Sequence, residues 1–135
     1  MFLALILAIA TLLIGVFFHL GNITLFADKL IATKASRYLT TPIVVGVAVL
    51  SQILIAGVFT CTYLLGQKLE LGDFVQSTTL SDIFYFSLTT ITTLGLGSIE
   101  PTEHLRMVAG IESATGFLLI SCSAQKVYTT MQRNV

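Results

Sequence analysis

Residues 1–27 contain no charged side chain, and neither do residues 38–67. Between 107 and 125 the only charge is Glu112. Such runs leave a chain few options. About 20 apolar residues in helical form cross a bilayer, because a helix rises about 1.5 Å per residue and satisfies its own backbone groups. Segments 2–20, 42–65 and 105–124 meet that requirement. Pro42 suits the first turn of its helix, where a missing N–H costs nothing. The first run lacks a basic n-region and a clean small-residue cleavage site, which argues against a cleaved signal peptide.

Composition agrees with this reading. Hydrophobic residues make up 55% of the chain, charged residues only 10%, and the net charge is zero. No basic excess exists to neutralise phosphates, so membrane lipid rather than nucleic acid is the expected partner. Cys61 and Cys122 lie in different apolar runs, and no His/Cys/Asp/Glu group has metal-ligand spacing. No nucleophile–base pair stands out either. The chain is not expected to be an enzyme or to carry a cofactor.

A fourth uncharged run, 83–99, is too short and too rich in Ser and Thr to cross. Thr79-Leu80-Ser81-Asp82 fits a capping-box start, with Asp82 near the positive end of a helix over 81–92. That helix reaches about 18 Å, half a membrane. It passes straight into Thr93-Leu94-Gly95-Leu96-Gly97. A re-entrant segment fits, provided its irregular end is surrounded by protein or water. Alternating glycines permit the dihedrals that turn backbone carbonyls toward one axis, where they can replace the water shell of a monovalent cation.

The string Thr92-Thr93-Leu94-Gly95-Leu96-Gly97 resembles the potassium-channel signature T-T-V-G-Y-G. Asp82-Ile83-Phe84-Tyr85-Phe86-Ser87-Leu88-Thr89-Thr90 is similar to the aromatic pore helix that precedes it, and Ser98-Ile99-Glu100-Pro101 to the segment that leaves it. The likeness extends over 42–124 and is nearest to small bacterial channels with one pore motif and an added N-terminal helix. It implies that the carbonyls of Thr93, Leu94, Gly95 and Leu96 bind K⁺, with the Thr93 hydroxyl at the innermost site and Gly97 at the outer mouth. Thr89, Thr92, Tyr85 and Phe86 would support the filter from the pore helix. Leu96 stands in place of Tyr, keeping the packing and losing a hydroxyl hydrogen bond. Ser98 stands in place of Asp, and Thr89 where some relatives carry Glu.

One strand cannot ring an ion. With one pore motif and no internal repeat, a C4 homotetramer is expected. The expected fold is all-α: three transmembrane helices plus the re-entrant pore helix and filter loop. The expected division is an N-terminal span over 1–22, a cytoplasmic amphipathic linker over 23–41, a pore domain over 42–126, and a cytoplasmic tail over 127–135. Within the pore domain the outer helix is 42–66, the turret 67–80, the pore helix 81–92, the filter 93–97 and the inner helix 104–126. The side carrying the filter has two basic residues against five acids, a balance of −3; the other has five basic residues against Asp28. The positive-inside rule then places the N-terminus outside and the C-terminus in the cytoplasm, with the chain in the cell inner (plasma) membrane. The expected function is passive K⁺ conduction. The alternatives are a non-selective or Na⁺-permeable channel on the same fold, and a non-conducting adaptor subunit.

Four further features admit two readings each. Glu112, inside the third span, either tunes ion occupancy or bonds a pore-helix hydroxyl such as Thr89 or a neighbouring polar group. Gly116 is either a gating hinge or a close-packing site. Phe117, Ile120 and Ala124 follow at helical spacing and face either the cavity and inner gate or lipid. His19 is either a pH sensor or an interfacial cap.

Overall fold

The computed structural model describes residues 1–32 and 37–133. Four helices run in order: α1 (Phe2–Ala32), α2 (Arg37–Lys68), α3 (Leu80–Ile91) and α4 (Leu105–Arg133). Three contain stretches long and apolar enough to cross a membrane: Phe2–Phe26, Tyr38–Lys68 and Leu105–Gln132. The fourth, α3, has 12 residues and reaches about 18 Å. Large apolar side chains stand exposed along all three long helices, among them Phe2, Phe17, Leu50 and Phe117. In water such a surface would drive association; in hydrocarbon it is an ordinary exterior.

Two boundaries differ from expectation. No separate helix begins at Ile23. The segment 23–32 continues α1, 33–36 lies outside the described residues, and 37–41 opens α2. Nothing between Ile23 and Ala32 stops a helix, and the exposed Leu25 and Phe26 extend its apolar surface. Likewise α4 runs through 127–133 rather than ending in a tail; 134–135 lie outside the described residues.

Helices α2, α3 and α4 pack against one another, and α1 lies against α2 and α4 on the side away from α3. Small residues let α1 approach: Ala4 and Ala8 are fully buried, and Gly15 faces Ile55. Polar pairs then fix its register. Thr11 and Thr62 share a hydrogen bond of 2.8 Å. His19 is fully buried between Ser51 of α2, at 2.9 Å from Nδ1, and Ser123 of α4, at 2.8 Å from Nε2. Ser123 donates its own hydrogen to the Leu119 carbonyl, so it accepts from His19 Nε2–H, and Ser51 donates to Nδ1. His19 is therefore not an interfacial cap. It joins three helices inside the protein. At the same end, Lys126 of α4 pairs with Asp28 of α1 at 3.3 Å.

At the opposite end, the chain leaving α2 is stitched to the chain entering α4. Phe74 and Pro101 form an antiparallel bridge, and Val75 N–H donates to the Glu100 carbonyl at 2.9 Å. Thr102 donates to the Asp73 carbonyl from both its N–H and its hydroxyl. This seam closes the mouth of the loop that carries the candidate site.

Candidate functional site

The site begins with the cap of α3. Thr79 is extended, with φ −91° and ψ 167°, and its hydroxyl oxygen accepts from Asp82 N–H at 3.3 Å. Asp82 Oδ2 in turn accepts from the Thr79 N–H at 2.8 Å and from its hydroxyl at 2.7 Å. This is the expected capping box. The Thr79 donors hold the Asp82 carboxyl below the usual carboxylate range.

At the other end of α3 the backbone changes character. Thr93, Gly95 and Gly97 have φ of +59°, +62° and +149°, while Leu94 and Leu96 between them do not. Such alternation belongs to neither a regular helix nor a regular strand, and the two glycines adopt it without a Cβ penalty. Thr93 is β-branched, and its left-handed backbone is an outlier of about 1–3 kcal/mol. The surrounding bonds hold it there. Thr93 N–H donates to the Thr90 carbonyl at 3.0 Å, and the N–H groups of Leu94 and Gly95 both donate to the Thr89 carbonyl, at 2.9 and 3.0 Å. The strand is thus fastened to the helix by its donors. Among the described residues no hydrogen bond ends on the carbonyls of Thr93, Leu94 or Gly95. Leu96 differs from expectation: its carbonyl already accepts from the Thr89 hydroxyl at 2.7 Å.

The side chains named from the sequence separate into two groups. Tyr85, Thr89, Thr92, Leu94 and Leu96 line one groove, which α2 completes with Val49, Gln52 and Ile53. Thr92 also turns its hydroxyl back to the Leu88 carbonyl at 2.8 Å. Phe86 points the other way. It packs edge-on against Tyr63 and Phe74, with ring centroids 5.6 and 5.5 Å apart, and braces α3 from the interior rather than touching the strand.

Glu112 is fully buried beneath that aromatic cluster. Tyr63 donates to its Oε2 at 2.6 Å, and its Oε1 makes a hydrogen bond with Ser87. A hydroxyl of α3 does meet the acid, as one reading of the sequence has it, and it belongs to Ser87 rather than to Thr89. Tyr63 and Ser87 were missed. The only signal was a phenol and a hydroxyl placed in apolar stretches.

Gly116 lies directly under α3. A Cβ there would coincide with the Ile91 carbonyl, so close packing accounts for this glycine. Phe117, Ile120 and Ala124 lie on the face of α4 that the protomer leaves exposed. Ile120 and Ala124 line a second groove with Val45, Ala48, Val49 and Gln52. Around the mouth, Glu70, Asp73, Asp82, Glu100 and Glu103 are all exposed. Asp73 is held below the usual carboxylate range by the Gln67 amide, at 2.6 Å, and by the Phe74 N–H. The arrangement offers a short irregular segment, with positive φ at alternate residues and three carbonyls that accept no hydrogen bond among the described residues, on the side of the protein that carries five exposed acids.

Residues 46–133, from within α2 to the end of α4, match the family model described as an ion channel. No curated protein and no solved structure matches the chain.

Proposed function

The chain belongs to this ion-channel family and is a multi-pass membrane protein with an additional N-terminal apolar helix, and from that premise we propose that it conducts K⁺ passively and selectively. The observation that carries the proposal is the strand 93–97. Its φ alternates in sign, the N–H groups of Leu94 and Gly95 turn back onto the Thr89 carbonyl and that of Thr93 onto Thr90, and three consecutive carbonyls are without a hydrogen bond among the described residues.

In this reading α3 is a re-entrant pore helix and four copies form a C4 ring. The carbonyls of Thr93, Leu94 and Gly95 coordinate dehydrated K⁺, with the Thr93 hydroxyl below them and Gly97 at the outer mouth. Leu96 contributes through the second lone pair of its carbonyl, beside the Thr89 bond. Thr89, Thr92, Tyr85 and Glu112 support the filter, and Phe86 acts one layer further back. Phe117, Ile120 and Ala124 line the cavity and inner gate, where hydrophobic rings close a pore by dewetting. The acidic rim faces outward and concentrates cations, while Lys29 and Lys126 lie on the cytoplasmic side of a plasma membrane.

One residue favours a second reading. Leu96 has no hydroxyl with which to brace the strand, and a looser ring passes Na⁺ as well as K⁺. Purified protein in proteoliposomes decides between them. K⁺ flux well above Na⁺ flux, blocked by Ba²⁺ and abolished by Gly95→Ala, supports the selective channel. Equal fluxes support the non-selective one. No flux, with Gly95→Ala indistinguishable from wild type, points to a non-conducting subunit.

A further inference from the structure

Three hydrogen bonds meet at the buried junction of α2, α3 and α4. Tyr63 reaches Glu112 Oε2, Ser87 meets Glu112 Oε1, and Ser87 also donates to the Ala56 carbonyl at 2.8 Å. If Glu112 is ionised, the junction holds two hydrogens for three bonds, one on Tyr63 and one on Ser87. If Glu112 carries a proton, the count closes: Tyr63 O–H donates to Oε2, Oε1–H donates to Ser87, and Ser87 O–H donates to Ala56.

Charge leads to the same state. A buried carboxylate needs a cation, because its desolvation is otherwise uncompensated. Among the described residues none bonds to this one. The groups against it are Tyr63 from α2 and Ser87 from α3. Arg106, the basic residue near the start of α4, is exposed and donates to the Pro101 carbonyl. Lys126 is taken up by Asp28 at the far end of the protein. No buried polar side-chain atom among the described residues lacks a partner, so the junction is fully satisfied.

We infer that Glu112 is held as the neutral acid and acts as a positioning residue, its proton completing the link that fixes α3 between α2 and α4. Ser87 lies two residues before Thr89, and Thr89 holds the strand, so a shift at Ser87 passes directly to the strand. The positioning of a filter presupposes the channel reading proposed above; the proton does not.

The test therefore has two arms. The first is infrared spectroscopy of the protein in lipid at pH 7, with and without ¹³C-glutamate labelling. The other six acids are exposed, and a protonated-carboxyl band that the label shifts and Glu112→Gln removes has one source. The band is expected in the wild type, shifted by the label and absent from Glu112→Gln. Its absence from the wild type overturns the inference. The second arm is K⁺ flux in proteoliposomes. Glu112→Gln keeps both the donor and the acceptor and is expected to conduct within about threefold of wild type. Glu112→Ala opens the junction and is expected to lose at least about tenfold. A folded Glu112→Gln that conducts no better than Glu112→Ala overturns the inference. A wild type without flux overturns the channel reading, and the infrared band still decides the proton.

Discussion

The Thr89 hydroxyl donates to the Leu96 carbonyl at 2.7 Å, seven residues further along the chain. The Thr89 carbonyl meanwhile accepts from Leu94 and Gly95. One residue at the end of α3 thus grips the strand at three places, through its carbonyl and its side chain.

Removing that hydroxyl while keeping its shape is the direct probe. Thr89→Val frees the Leu96 carbonyl and takes away a bond of about 0.5–1.5 kcal/mol, equivalent to a two- to tenfold change. The K⁺/Na⁺ permeability ratio is expected to fall by about that factor, and Thr89→Ser to restore it. Flux assays in matched gradients read the difference. An unchanged ratio in Thr89→Val would show that the strand does not depend on this bond.

Gly116 and Gly110 form a matched pair on α4. A Cβ at 116 strikes the Ile91 carbonyl; at 110 it meets nothing within 4 Å. Gly116→Ala is expected to force α3 and α4 apart, with a stability loss of about 1–3 kcal/mol. Gly110→Ala is expected to leave stability unchanged or to raise it by about 0.5–1 kcal/mol, because alanine suits a helix better than glycine. Thermal unfolding in detergent distinguishes the two. If Gly116 were only a hinge, its Tm would be unaffected.

What the sequence made legible is local. The capping box at Thr79 and Asp82 depends on a spacing of three residues, and the spans depend on runs without charge; both could be read from the chain. The junctions could not. His19 meets Ser51 and Ser123 across 32 and 104 residues, and Glu112 meets Ser87 across 25. Helical periodicity gives the face of a residue but not its partner on another helix. For that reason periodicity offers Thr89 where Ser87 stands, and sets His19 at a surface. The segment 23–32 was misread for a different reason. Its interleaved lysine and apolar residues fit an interfacial helix and the emerging end of a long span equally well.

The cap of α3 has an acid sensitivity of known sign. Thr79 lowers the pKa of Asp82 in the folded state relative to about 3.9 in an unfolded chain. The contribution is therefore complete above that unfolded value and is lost as pH falls through the lower folded value. Tm is expected to be flat from neutral pH to about pH 5 and to drop below about pH 4. Asp82→Asn is expected to remove part of that drop. Thr79→Ala, measured at pH 7, is expected to cost about 1 kcal/mol. Asp73 titrates in the same direction, so Asp73→Asn is the companion control.

The His19 junction ties α1 to α4. His19→Ala leaves the buried Ser51 hydroxyl without its ring partner and is expected to destabilise the protein by about 1–3 kcal/mol. In a double-mutant cycle with Ser123→Ala, the two losses are expected to be less than additive, because each variant breaks the same 2.8 Å bond. Fully additive losses would mean that the bond contributes nothing to stability.

The central claim is that the strand 93–97, in a ring of four, passes K⁺ and rejects Na⁺. Its most direct test is the reversal potential of purified protein in a planar bilayer with K⁺ on one side and Na⁺ on the other. A reversal potential displaced far from zero, in the sense of K⁺ more permeant than Na⁺, with current lost in Gly95→Ala, is the result predicted here. A reversal potential near zero would contradict it.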